Sequence, residues 1–389
     1  MDAGSLTNTQ SAKKEKPPFA KRLLSVCGKH KTVTVLSALG ILAVLVYIIS
    51  RFSTPFAEFA ARYPGQAMRW ALAKLTTLLP FSLAETLVLL LPVLFASLFA
   101  IASSVSKKTG ASKFAVIIRT QISILLIIAI TFGIGFGPCY FRNTLAQNLG
   151  LEDKPVSGQA LYDTAMWLTD NINGLLPEIL YGEGGESHLR VSFYELSDMV
   201  NEAFEKYASG AGYISHFYSA VKPVSLSRYM TYTHISGVYA FFTGEANVNF
   251  NYPDFVVPYT MAHEMSHQRG IAREDEANFV AFLVCISSDD AYIRYSGYVN
   301  VLREVRNALY NSDRDLYNEY MKRYPAKVRA EMAAYSKFFE PYRESTAAKV
   351  VSATNDKYLK SQSVKAGERS YGLVTDLAVA YYLKYIANQ

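Results

Sequence analysis

The run VTVLSALGILAVLVYIIS, residues 33–50, holds 18 residues and no charge. A helix needs ~20 apolar residues to cross a bilayer, so the run fits a short span. A cleaved leader is the rival reading. However, 32 residues precede the run and no small-x-small cleavage site follows it, so an uncleaved anchor is expected. A second run, FSLAETLVLLLPVLFASLFAIASSV at 81–105, carries Glu85 near one end and Pro92 inside. A third, AVIIRTQISILLIIAITFGIGFG at 115–137, has Arg119 near its start. Three such runs in succession argue for a membrane region rather than three buried helices of a soluble core.

Basic residues set the expected orientation. Lys13, Lys14, Lys16, Lys21, Arg22, Lys29 and Lys31 precede the first run, and Lys107, Lys108 and Lys113 separate the second from the third. Both segments are expected in the cytoplasm by the positive-inside rule. Arg51, Arg62, Arg69 and Lys74, on the other side, weaken the contrast without reversing it. The expected organisation is a cytoplasmic basic tail (1–32), a transmembrane region (33–137) and an extracytoplasmic domain (138–389) large enough for its own core. The net charge of +6 lies largely in these flanking runs, so it points to membrane orientation and not to nucleic acid. Three scattered cysteines (Cys27, Cys139, Cys285) exclude a disulfide framework or a four-thiolate metal site.

Within the outer domain, helical spacing appears at about 157–176, after a Ser157 cap, and again at 192–209. The glycine-rich YGEGGESH, 181–188, lacks the pattern of a phosphate cradle. Residues 222–252, rich in β-branched and aromatic side chains with glycine breaks, suggest two or three short strands. Helical pattern then dominates to the C-terminus. The last run, LVTDLAVAYYLKYIAN, is amphipathic and reads as a docked helix rather than a fourth span. The expected fold is a three-helix membrane anchor followed by a mostly α-helical α+β domain with a small sheet.

Directly after the strand segment comes YTMAHEMSHQRGIAREDEANFVAFL. His263 and His267 stand one helical turn apart on one face, so both imidazoles can reach a single zinc ion. Glu264 lies beside them, placed to take a proton from a water activated by the metal. A catalytic zinc wants three protein ligands and one open position. Gly270 lets the chain turn back, and a second helix opens with Glu274 and Glu276. Glu274 shares its face with the small or polar Ala277, Asn278 and Ala281, which could pack close to the first helix. Glu276 shares its face with the core-like Phe279, Val280 and Leu283. Glu274 is therefore the expected third ligand and Glu276 the alternate, with Asn278 available to orient a ligand.

At these residues the sequence resembles the zincin metallopeptidases, in particular the gluzincins, whose HExxH helix is completed by a glutamate opening an E-x-x-x-D/N helix. Here that element is EDEAN, Glu274 to Asn278. The longer pattern resembles a bacterial membrane family, the domain of unknown function 3810. It consists of FFTGEANVN, then the metal-site helices, RYSGY, and the late NDKYLK and SYG segments. The resemblance implies a zincin-like domain binding one zinc ion. It also implies an edge strand before the HExxH helix that holds an extended substrate by its backbone, a place occupied by Glu245, Ala246 and Asn247. Tyr239, His234, Tyr295 and Tyr371 are the residues chemically able to stabilise an oxyanion.

The leading expectation is a membrane-anchored zinc metallopeptidase acting outside the cytoplasm on peptides or envelope proteins. The alternatives are an inactive metal-binding sensor or scaffold and a zinc hydrolase of a non-peptide cell-wall amide.

Overall fold

A computed structural model describes residues 31–152, 155–362 and 374–387. Cys27, Tyr371 and most of the basic N-terminal tail lie outside the described residues. Among the described residues, three helices are long and apolar enough to cross a membrane: α1 (Lys31–Phe52), α5 (Leu91–Thr109) and a third spanning Lys113–Phe141, whose regular part is α6 (Lys113–Ile130). They pack α1 on α6 and α6 on α5. Glycines permit the closest approach, since a Cβ at Gly133 would lie 2.7 Å from the Ala43 carbonyl oxygen.

Two boundaries differ from the apolar runs. The second run is split at Leu90 into a short helix α4 (Leu83–Leu89) and α5, with Pro92 in the first turn of α5. Proline is tolerated there because that N–H has no intrahelical partner. The segment between the first two apolar helices is helical too: α2 (Thr54–Ala60), a wide turn at Ala61–Gly65, and α3 (Gln66–Thr77). This segment is bonded to the C-terminal half. Glu58 pairs with Arg142 at 3.3 Å, and Arg62 donates to the Gly212 carbonyl. Arg69, 2% exposed, donates to the carbonyls of Gly135 and Ala61.

Beyond Phe141 the chain continues through α7 (Leu145–Leu149), α8 (Gly158–Leu175) and α9 (Phe193–Gly210). Ser157 and Ser192 cap α8 and α9 by accepting from Ala160 and Glu195 amides, which anchors those starts where the sequence suggests. A three-stranded sheet follows, made of β1 (Lys222–Pro223), β2 (Gly237–Ala240) and β3 (Glu245–Val248), in the order β1-β3-β2. A short helix α10 (Ser227–Met230) lies between β1 and β2. The rest is helical: α11 (Val257–Gln268), α12 (Glu274–Ile286), α13 (Ala291–Ser312), α14 (Arg314–Met321), α15 (Ala326–Phe338), α16 (Thr346–Ser361) and α17 (Val374–Tyr385).

The main core forms where α8, α9, α11, α12 and α13 meet. Leu168, Phe204, Met261, Phe282 and Val305 are all buried there. The terminal helix α17 docks through Val374, Ala378 and Val379, and Lys384 holds the Leu149 and Gly150 carbonyls. A second, smaller cluster joins the domain-side end of the third apolar helix and the turn after α2 to the domain: Ala61, Phe136, Cys139, Tyr140 and Ala272.

Candidate metal centre

The helix α11 carries His263, Glu264 and His267, and it lies beneath the sheet, against both β2 and β3. It ends because Gly270 adopts φ +92, a left-handed conformation that a side chain disfavours. The Ile271 amide then bonds back to the Ser266 carbonyl. This tight reversal brings the Ile271 carbonyl onto His267, whose Nδ1–H donates to it at 2.7 Å. With Nδ1 protonated, the Nε2 lone pair of His267 faces the interior of the site. Four residues after Gly270, α12 opens with Glu274 in its first turn, directed at the same point.

There three ligand atoms converge. His263 Nε2 lies 3.1 Å from His267 Nε2 and 3.3 Å from Glu274 Oε2, and His267 Nε2 lies 3.5 Å from Glu274 Oε2. Corners of a tetrahedron with bonds of about 2.0–2.1 Å stand about 3.3 Å apart, so the separations suit a zinc-sized cation. Among the described residues, this is the cluster of three such side chains that could hold a metal ion. The electrostatics agree. Burial opposes a charge on His267, yet the Glu274 carboxylate outweighs it and holds the imidazole up at about 9. Burial likewise opposes the Glu274 charge, but His267 and His263 drive that carboxyl well below its usual range. Without a metal, the site gathers a proton where a cation fits.

Glu264 is 4% exposed, and burial pushes its carboxyl up to about 7 against the pull of His263 and His267. The nearby Tyr239 backbone, on β2, opposes this rise weakly. Gly237, also on β2, stands so close that a Cβ there would lie 2.5 Å from Glu264 Oε1. The sequence reading missed this residue. A glycine at the head of a strand signals close backbone approach, but nothing local says what approaches.

The two acids at the start of α12 separate cleanly. Glu276 accepts from the Leu145 amide and from Arg273, each at 2.9 Å, so it ties α7 to α12 and is turned away from the histidines. Asn278 makes no hydrogen bond to the three converging residues. Its backbone carbonyl accepts from Tyr259, and the Ile271 carbonyl orients His267 instead. His263 Nδ1 is buried without a partner.

The expected edge strand needs correction. β3, which carries Glu245, Ala246 and Asn247, is the central strand, paired parallel with β1 and antiparallel with β2, and buried throughout. The Glu245 carboxylate accepts from the Leu83 and Ala84 amides at 2.8 Å each, at the start of α4. Asn247 donates to the Val238 and Glu245 carbonyls. Their side chains hold the fold, and the free edge next to α11 belongs to β2. Period-2 patterning marks a strand but not its neighbours, which is why the order was not readable.

Of the oxyanion candidates, Tyr239 lies on β2 with its hydroxyl buried and unpartnered. His234 is bonded to the Tyr342 carbonyl at 2.8 Å. Tyr295 donates to Glu331, in a buried network with Tyr181 and Ser187. Two tyrosines not among the oxyanion candidates feel the Glu274 charge. Tyr140 and Tyr358 share a hydrogen bond of 3.2 Å. Burial raises the Tyr358 hydroxyl to about 12, and the Glu274 charge adds to that rise.

Residues 63–379 match the family model described as a protein of unknown function, DUF3810. The chain belongs to this family. The match begins inside the helical segment after α1 and runs into α17, so it takes in the membrane-length helices α5 and α6, the sheet and the candidate metal centre. No curated protein and no solved structure matches the chain.

Proposed function

We propose that this DUF3810 member is a membrane-anchored, zinc-dependent peptide hydrolase whose domain is zincin-like and faces the extracytoplasmic side. One observation carries the reading: two histidine nitrogens and one carboxylate oxygen, 3.1–3.5 Å apart, converge beside a separate buried glutamate. A site built only to hold an ion has no use for that fourth residue, so the sensor or scaffold reading is the weaker one.

In this reading His263, His267 and Glu274 would hold the ion, which would supply Lewis acidity to polarise a carbonyl and acidify a water. Glu264 accepts the water's proton as the water attacks the scissile carbonyl carbon, then delivers it to the departing amine. Its raised carboxyl suits both halves of that exchange, because a group titrating near neutrality accepts and releases a proton at similar cost. The free edge of β2 positions an extended substrate by backbone hydrogen bonds. Tyr358, whose hydroxyl accepts from Tyr140, would donate to the developing oxyanion, and Ile271 keeps His267 in the binding tautomer.

The orientation rests on Lys107, Lys108 and Lys113 at the far ends of α5 and α6, opposite the domain. Elemental analysis of the purified protein tests the site: one zinc per chain, lost in His263→Ala, is expected. A folded protein without metal would return HEMSH to an ordinary helix. A peptide library assayed with Glu264→Gln as control then separates peptide from non-peptide amide hydrolysis.

A further inference from the structure

The helical segment from Thr54 to Thr77 is built inside out. Its buried face is small or polar: Ala57, Ala61, Arg69, Ala73 and Thr76. Its outer face carries large apolar side chains. Phe59, Tyr63, Trp70 and Leu78 are 56%, 66%, 49% and 80% exposed, at spacings that keep them on one side of a helix. A helix that packs a protein core against water shows the opposite pattern. The segment's charges confirm the inversion, since each is engaged by the protein. Glu58 pairs with Arg142, Arg62 donates to Gly212, Arg69 donates to Gly135 and Ala61, and Lys74 lies over the Tyr218 ring at 5.5 Å.

Position identifies what covers the apolar face. The segment leaves one membrane-length helix and leads, through α4, into another. Its middle packs on the outer end of the third. A Cβ at Gly65 would lie 2.8 Å from the Ile134 carbonyl, and one at Gly135 would lie 3.1 Å from the Met68 sulfur. The regular part of that third helix is 18 residues, about 27 Å at 1.5 Å per residue, which nearly fills a hydrocarbon core of about 30 Å. Residues 131–136 therefore stand at the level where acyl chains give way to headgroups.

We propose that Thr54–Thr77 and the turn after it lie in the interfacial layer of the bilayer that α1, α5 and α6 cross, with Phe59, Tyr63, Trp70 and Leu78 seated among the lipids. The partner of this surface is lipid, in the manner of an interfacial amphipathic helix with aromatic anchors. The consequence for the metal centre is positional. Phe136 stands edge-on to His267 with ring centroids 6.2 Å apart, and Arg69 lies against Gly270 at the end of α11. The centre thus sits at the height of the headgroups, although in sequence it lies far past the last apolar helix. The lipid contact does not depend on the hydrolase reading.

Tryptophan fluorescence tests it, because the chain has two tryptophans and the other, Trp167, is packed among Phe282, Tyr298 and Tyr382 in the domain core. The full-length protein is reconstituted in phosphatidylcholine vesicles, wild type beside Trp70→Phe. The expected result is a blue-shifted component in the wild type. It is quenched by lipid brominated near the headgroup end of the acyl chain, less by lipid brominated near the chain terminus, and absent from Trp70→Phe. A Trp70 component quenched by aqueous iodide would place the stripe in water and overturn the proposal. One that resists both quenchers would show a protein cover, such as a second copy of the chain, and would overturn it equally. Zinc content of the same vesicles is read separately, so failure of the metal site is distinguishable from failure of the lipid contact.

Discussion

At the residue scale, the two acids opening α12 illustrate why neighbours in sequence take different work. Two residues of helix separate their directions by about 200°, so Glu274 meets the histidines while Glu276 meets Arg273 and the Leu145 amide. Glu274→Ala is expected to lose the metal. Glu276→Ala should retain it but lose stability by about 1–3 kcal/mol, because the buried Leu145 N–H is left without an acceptor. Metal analysis and thermal melts of the two variants check this, and the reverse order would move the third ligand. Gly237→Ala tests a residue whose only evident reason is proximity to Glu264. The added methyl must displace the carboxylate, so turnover should fall at least as much as affinity for substrate while zinc stays bound. Unchanged kcat in a library assay would detach Gly237 from the mechanism. The spacing of His263, Glu264 and His267 was legible because a helix repeats every turn. Gly237 was not, because no local rule brings a strand to a given helix.

At the element scale, the sheet and the α11–α12 turn decide how the site is held. Glu245 caps the start of α4 from β3 across 161 and 162 residues of chain. Glu245→Ala should therefore cost about 0.5–2 kcal/mol, as loss of a helix cap does, and leave metal content unchanged. Loss of zinc in a folded Glu245→Ala protein would show that β3 acts at the centre after all. The loop before β1 offers a pH dependence. Burial, with Arg269 and Lys74 nearby, lowers the His216 imidazole to about 3, so the folded protein keeps it neutral. The unfolded chain takes up a proton below about 6.5. The group's contribution is thus complete above about 6.5 and is lost as pH falls toward 3. The melting temperature should drop between neutral and mildly acid pH, and His216→Gln should lessen that drop. Equal acid sensitivity in the variant would assign it elsewhere. The elements themselves were readable from caps such as Ser157 and Ser192. Their neighbours were not: β3 stands where the resemblance implies an edge strand and proves central.

For the whole molecule, the apolar helices and the domain form one structure. Arg62, Arg69 and Lys74, which blur the positive-inside contrast in sequence, are occupied by the Gly212 carbonyl, the Gly135 and Ala61 carbonyls and the Tyr218 ring. They are structural cations, and setting them aside sharpens the contrast with the Lys107–Lys113 side. A C-terminal reporter is expected to be active outside the cytoplasm; activity confined to the cytoplasm would reverse the proposed orientation. A centre at headgroup height also favours substrates held there. Peptides carrying a palmitoyl chain should be cleaved faster than their acetylated counterparts by about tenfold or more in vesicles, through local concentration alone. Equal rates in vesicles would make the site indifferent to the membrane.

The sequence alone determined three membrane-length helices, the small sheet, the docked final helix and the pairing of His263 with His267. Each depends on periodicity or length within a short stretch. Only the tertiary structure decided that Glu274 and not Glu276 turns to the histidines and that β2 is the free edge. The same holds for the place of Gly237 over Glu264, and for the segment between α1 and α5, which shows its large apolar side chains outward. Those features join parts of the chain far apart in sequence, and such contacts are fixed by which surfaces bury one another, a choice no single stretch contains.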